Sequence, residues 1–392
     1  MKYLFLSYYY PPDIGAGAFR SKFFVNNFIK KLSQNDELII ISSSPNRYDV
    51  NLNANKVNTI NDKRVKIHKI KVFNHKEKLP LKILSGIKYF LYACVLIFKS
   101  KPDICISSTA RIVSGLAVYL PSIFLKYKYF IDVRDIFSEV MRDILPKNFI
   151  NKILIILIYR LEKKIFSSAT SVNFVSEGFK TFIKKNNIIL KDVTFFTNGM
   201  DEIFIANMKP LTVNSIKKIL YIGNIGEGQA LEKIIPNIAS RLNYINFTII
   251  GDGGKKLFLN KLLINKKITN VELLKPRSQE ELLNSYREAD ALFLHLNNYD
   301  SLKNVIPSKI FEYASFNKPV LAGVSGYTKT FCNQFKNFYF FEPCDVDGLM
   351  KIIKNLKDKM PIKMESNNNI LDEFNRNFLM EKYVNHVKKM II

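Results

Sequence analysis

The sequence offers little for a disulfide framework, a metal centre or a membrane span. Its four cysteines (Cys94, Cys105, Cys332 and Cys344) are scattered, with no CxxC pair and no histidine at ligand spacing. That pattern fits reduced, buried thiols and gives neither a disulfide scaffold nor a zinc site. Histidine is equally scarce: His68, His75, His295 and His386 are all there are, and none sits in a recognisable motif. Met1-Lys2 runs straight into the Tyr3–Tyr10 segment, without the long apolar core and small-residue cleavage site of a signal peptide, so a cytoplasmic chain is expected. Residues 79–98 and 149–166 are the most apolar stretches. Lys82 and Lys88 interrupt the first and Lys152, Arg160, Lys163 and Lys164 the second, so neither offers about 20 uninterrupted apolar residues. Each reads as a core helix of the first domain or as a helix lying in a membrane interface.

Acidic residues are also in short supply. There are 34 Asp+Glu against 59 Lys+Arg, a net charge of +25, of which +16 falls within residues 1–205. Such an excess points to a polyanionic partner, whether nucleic acid, anionic membrane or phosphate-bearing substrate. Richness in Lys, Asn and Ile together also fits compositional drift. No helix-turn-helix, RRM or aromatic–basic sheet signature supports nucleic acid, and none is expected as a partner.

At 392 residues, 47% of them apolar, the chain has enough for two domains with full cores. Short apolar runs alternate with amphipathic helices. KYLFLS (Lys2–Ser7), LIIIS (38–42), ICIS (104–107) and YFIDV (129–133) read as buried strands, and 19–32 as the first helix. The rhythm restarts after a polar stretch at 207–218. Strands are expected at 219–222, 247–250, 271–274, 291–294 and 319–322, and helices at 230–242, 255–265, 279–289 and 309–315. The expected fold class is therefore α/β, with two doubly wound Rossmann-like domains whose ligands sit at the carboxyl ends of parallel strands. We place the first domain at 1–206, rejoined by a helix at about 372–392, and the second at 207–371.

Five stretches carry the chemistry. YPPDIGAGAFR (10–20) links a strand to a helix, and Gly15 and Gly17 allow backbone to approach a phosphate. Arg stands at position 20 where a dinucleotide fingerprint would want its third glycine, which disfavours an NAD-type site. Asp132-Val133-Arg134-Asp135 ends a buried strand, with Glu139 one helical turn later; these charges suit a site, or a structural Arg–Asp pair capping the next helix. YIGNIGEGQ (221–229) and IGDGG (250–254) repeat the strand–loop–helix form, with Asn224, Gly226 and Gly251 at the turns. In VIPSKIFEY (305–313), Ser308 suits a phosphate oxygen, Lys309 a departing diphosphate and Glu312 ribose hydroxyls. Lys309 and Glu312 also fit a plain i,i+3 surface pair.

Seven stretches, in order along nearly the whole chain (YYYPPDIGAGAFR, IDVRDIF, VNFVSEGF, TNGMD, YIGNIGEGQALE, IIGDGG and PSKIFEYASFNKPV), resemble the family 4 glycosyltransferases, especially the bacterial O-antigen and capsule branch. The resemblance implies a GT-B fold with its two domains facing a central cleft. It implies a retaining hexosyltransferase that takes a nucleotide-diphosphate sugar, a UDP-sugar foremost, without a cofactor or obligatory metal. The acceptor would be a glycan or polyprenyl-diphosphate-linked sugar at the inner face of the cytoplasmic membrane, with an anionic surface as partner. Carried over by position, Gly15, Gly17, Asn224, Gly226, Gly251, Ser308, Lys309 and Glu312 would bind the donor. Arg20, Arg134 and Glu139 would bind the acceptor, and Arg134, Asp135 and Lys309 would serve catalysis. Three features depart from the family pattern: Asn304 replaces the first glutamate of Glu-x7-Glu, GNIGEGQ lacks the usual Arg and Lys, and Arg134 stands where many relatives have His. A nucleotide-sugar 2-epimerase of the same fold, a basic non-catalytic membrane- or nucleic-acid-binding protein and a catalytically dead scaffold are the alternatives.

Overall fold

A computed structural model describes residues 1–13, 15–44, 60–73, 79–109, 111–205, 211–367 and 371–391. The chain divides into two compact units, 1–198 with 376–392, and 199–375. The division falls before the 206/207 boundary expected from sequence, and residues 206–210 lie outside the described residues. Met200 bridges Asn375, and Phe204 packs edge-on to Tyr286 and Phe316, so this segment joins the second core.

In the first unit the chain runs β1 (Lys2–Ser7), α1 (Ala16–Ile29), β2 (Glu37–Ser43), β3 (Val65–Ile70), α2 (Leu79–Ser100), β4 (Ile104–Thr109), α3 (Ile112–Leu125), β5 (Lys128–Val133), α4 (Phe137–Ile144), α5 (Phe149–Ser168), β6 (Ser171–Phe174), α6 (Lys180–Lys185) and β7 (Val193–Thr194). The seven strands form one parallel sheet in the order β3-β2-β1-β4-β5-β6-β7. Strands buried on both faces must be apolar on both, which is why they read as continuous runs in the sequence. Tyr3 and Phe5 of β1 meet Phe24 and Phe28 of α1 and Tyr383 of the last helix, Arg376–Ile391, on one face. Leu4 and Leu6 point the other way and are fully buried.

The second unit contains α7 (Glu202–Ile205), β8 (Leu211–Val213), β9 (Lys218–Asn224), α8 (Leu231–Arg241), β10 (Asn246–Asp252), α9 (Lys256–Asn265), β11 (Val271–Leu274), α10 (Gln279–Glu288), β12 (Ala291–His295), α11 (Lys309–Ser315), β13 (Val320–Gly323), α12 (Gly326–Cys332), β14 (Phe338–Phe341), α13 (Val346–Asp358) and β15 (Ile362–Met364). Six strands make a parallel sheet, β11-β10-β9-β12-β13-β14, and β8 pairs antiparallel with β15. Strand order reverses beside β1 in one unit and beside β9 in the other. A crevice forms at such a switch point because neighbouring loops diverge there. The loops after β1 and β9 are the glycine-bearing stretches singled out in the sequence.

Candidate functional site

In the first unit α1 begins at the switch point with Gly15 as its N-cap, which offers no side chain to the first N–H groups, and Gly15 has φ 152°, a conformation suited to glycine. Ile14 lies outside the described residues. Gly17 leaves room for a neighbour: a Cβ there would come within 1.9 Å of Arg134 Nη1. The guanidinium from the end of β5 thus lies against the glycine loop, uniting two motifs that are far apart in sequence. Asp135, exposed, shares a small pocket with Arg111 and Glu162. Glu139 occupies the first turn of α4 and is partly exposed.

Arg20 does not bind an acceptor from where the structure places it. Its side chain is 1% exposed and makes a two-pronged ion pair with Asp132, 2.8 Å on each arm. It also donates to the carbonyls of Thr197 (2.7 Å) and Phe196 (2.8 Å) and lies 5.9 Å from the Tyr383 ring centroid. Burial alone would raise the Asp132 carboxyl. Arg20, and the Asn173 amide donating at 2.7 Å, outweigh it and hold the group below its ordinary range. Arg20 is thus a structural clamp between α1, β5 and the segment leading out of β7.

Two buried or half-buried groups of this unit escaped the sequence analysis. Glu162 of α5, 3% exposed, accepts the backbone N–H groups of Phe137 (2.7 Å) and Ser138 (2.9 Å), capping α4 from another helix. Burial pushes its carboxyl up to about 7, and nearby Glu139 adds to the rise. Arg111, between β4 and α3, stacks 4.1 Å over Tyr8 and donates to the Tyr9 hydroxyl at 3.1 Å, holding the loop after β1. A lone cation at a strand-to-helix junction is the only sequence signal Arg111 gives.

In the second unit the loop after β9 is held by side chains from four directions. Asn224 donates to Gln229 Oε1 at 2.8 Å, and a Cβ on Gly226 would strike that amide at 2.3 Å. Glu227 pairs with Lys255 at 2.7 Å and accepts from the Tyr299 hydroxyl at 2.8 Å. Asn297 donates from Nδ2 to the Glu227 carbonyl and from its backbone to the Gly228 carbonyl. Gly251 serves sheet packing, since a Cβ would sit 1.9 Å from the Gly223 carbonyl oxygen. His295, at the end of β12, accepts the Cys344 N–H on Nε2 (2.9 Å), so its Nδ1 carries the proton and donates to the Gln229 carbonyl (2.7 Å). Burial lowers its pKa to about 4, keeping it neutral. No spacing in the sequence hints at this contact, because its partners lie 66 and 49 residues away.

Lys309 and Glu312 are more than an i,i+3 surface pair. Lys309 Nζ donates to Glu312 Oε2 at 2.6 Å, and the buried Tyr286 hydroxyl donates to the same oxygen at 2.8 Å. Glu312 is 7% exposed and Lys309 25%. An ammonium is thereby held in one place by a buried carboxylate while keeping solvent access. Ser308 precedes α11 and makes no side-chain cap bond. Tyr313 fixes the helix to the sheet, its hydroxyl accepting the Ile222 N–H at 2.9 Å.

Residues 207–370 match the model of the family described as glycosyl transferases group 1. With the two-sheet fold, this match gives the class: a GT-B architecture whose second unit carries a glycosyl transferases group 1 domain. The putative colanic acid biosynthesis glycosyl transferase WcaI of Escherichia coli (strain K12) is 24% identical over 208 residues, 49% of this chain and 51% of that protein. The chain thus spans about half the length of the curated relative it matches. HepE of Anabaena, solved with UDP, has the same fold at TM-score 0.65 and 13% identity, covering 99% of this chain and 100% of that one. Sucrose-phosphate synthase of Thermosynechococcus elongatus matches at TM-score 0.73 and 10% identity, covering 100% and 99%.

Proposed function

We propose that the chain transfers a hexose, with retention, from a nucleotide-diphosphate sugar to a glycan or polyprenyl-diphosphate-linked acceptor in cell-surface polysaccharide synthesis. The observation that carries this reading is Lys309, held on the buried Glu312–Tyr286 pair inside the group 1 domain. Leaving-group departure puts negative charge on the terminal phosphate of a nucleoside diphosphate. A positioned ammonium stabilises that charge without reorganising as it develops. Glu312, bonded through Oε2, is the candidate ribose acceptor. HepE has been solved with UDP and with UDP-glucose, which makes a uridine donor the first to test here.

Arg134, fitted against Gly17, together with Asp135 and Glu139, is the candidate set for the acceptor or its phosphate. The relation to WcaI, named for colanic acid biosynthesis, favours a polysaccharide pathway. Epimerisation would need acid–base groups at the donor. His295 is neutral and fully engaged, and His386 pairs with Asp192 in the other unit, which supports transfer instead.

The test is thermal-shift screening against UDP, GDP, ADP, CMP and their common sugars, followed by product analysis. Stabilisation by one nucleotide that is lost in Lys309→Ala supports the reading. Wild-type turnover in Lys309→Ala or Glu312→Ala would remove it.

A further inference from the structure

The connections β3–β4, β4–β5 and β5–β6 all advance in one direction along the first sheet. Right-handed crossovers therefore put α2, α3 and α5 on one side, opposite α1. The three helices adjoin, α2 against α3 and α3 against α5. Among the described residues, their outer side is apolar and exposed. On α2, Ile87, Leu91, Val95 and Phe98 recur every three or four residues and are 43–55% exposed. Phe124 of α3 is 72% exposed and touches Phe98, with ring centroids 6.2 Å apart. The first three turns of α5 bury no side chain at all, and Phe149 and Ile150 are each 77% exposed. Soluble surfaces rarely carry so continuous an apolar patch without a partner for it.

Charge identifies that partner. The three helices contain one carboxylate, Glu162, and it is buried. Exposed cations stand at their ends: Lys99, Lys101, Lys126 and Lys164 at one end, Lys147 and Lys152 at the other. The imbalance extends to the whole unit. Residues 1–198 and 376–392 carry 36 basic against 15 acidic side chains, while 199–375 carry 23 against 19. An apolar face rimmed with lysine would repel a second copy of itself. It complements a surface whose interior is hydrocarbon and whose rim is anionic.

α2 is long and apolar enough over Ile83–Ser100 to cross a membrane. Tyr89, Ala93 and Ile97 are nevertheless fully buried along its inner side, so the helix lies on the sheet and only its outer side is open. We propose that the outer face of α2, α3 and α5 is a docking surface for an anionic lipid bilayer, which the apolar side chains enter while the lysines engage headgroup phosphates.

The absence of tryptophan from the chain supplies the test. Single-tryptophan variants of the full chain, Leu91→Trp, Phe124→Trp and Ile150→Trp, report on the face, and Tyr244→Trp, exposed in the second unit, serves as control. Each is mixed with vesicles of phosphatidylcholine, alone or with phosphatidylglycerol, and with brominated forms of the same lipids. The expected result is blue-shifted, bromine-quenched emission from the three face variants on phosphatidylglycerol vesicles, weakened by salt, with the control unchanged. Replacing two exposed residues together, Phe124→Asp with Ile150→Asp, should lower the vesicle-bound fraction roughly tenfold or more while melting is unaltered. Three outcomes overturn the proposal. No shift on either vesicle removes the bilayer. An equal response to phosphatidylcholine alone removes the anionic component. Blue-shifted emission with doubled mass and no lipid assigns the face to a second copy.

Discussion

Arg20 and Asp132 give the sharpest test of how the first unit is built. Asp132→Asn keeps shape and volume but removes the charge facing a guanidinium that is 1% exposed. Arg20 would keep two backbone carbonyls and the Tyr383 ring as partners. One carboxylate oxygen would become an NH2 group aimed at donors from Arg20 or Asn173. Removing one partner of a buried pair costs about 3–5 kcal/mol. A unit of this size loses roughly 2–4 °C of melting temperature per kcal/mol, so a fall of about 10 °C is expected. Scanning calorimetry is the assay, with the two units fitted as separate transitions. Replacing both partners with apolar residues, Arg20→Met with Asp132→Leu, should recover much of the loss, because no unpaired charge then remains. An Asp132→Asn protein melting within about 2 °C of the wild type would refute this reasoning. So would an Arg20→Lys protein of unchanged stability but raised acceptor KM, which would restore Arg20 to the acceptor site.

Other predictions follow from single contacts. Gly17→Ala forces the Arg134 guanidinium to move and should reduce transfer about as much as Arg134→Ala, measured by initial rates on the same acceptor. Gly251→Ala drives a methyl into the Gly223 carbonyl and should lower the second unit's melting while leaving the first unit's unchanged, as calorimetry resolves. His295 is depressed to about 4, so the unfolded chain binds its proton first as pH falls. Stability from this group is full above about 6.5 and lost toward 4, about 3 kcal/mol in all, and His295→Gln should flatten that slope in the second unit. Glu162, raised to about 7, acts in the opposite sense. Its contribution to the first unit is full below about 4.5 and is lost as pH rises through 7, also about 3 kcal/mol, and Glu162→Gln should remove that dependence in hydrogen-exchange profiles.

Much of the architecture was legible because parallel strands buried on both faces leave unbroken apolar runs. β1 runs over the residues expected, and β9, β10, β12 and β13 lie within a few residues of theirs. β3, whose VKIHKI run is broken by Lys66, His68 and Lys69 and is largely exposed, and the two-residue β7 had no such signature. Site residues divide along the same line. Lys309 and Glu312 stand one helical turn apart, so their pairing could be read from spacing, but Tyr286, which completes the group, comes from α10. Arg20 looked like a site residue because it follows a glycine loop. Only the fold brings Asp132, 112 positions on, beneath it. His295 and Glu162 are contacts of tertiary structure alone, and no local pattern encodes them.

The measurement that bears most directly on the proposed transfer is turnover of a nucleotide sugar by the wild type and by Lys309→Ala, with each protein's melting followed against the same nucleotide. One nucleotide, UDP foremost, should stabilise the wild type, and its sugar should be transferred with retained anomeric configuration. Lys309→Ala should stay folded and lose both effects. Unimpaired turnover in Lys309→Ala, or a wild type that no nucleotide stabilises, would contradict the donor site proposed here.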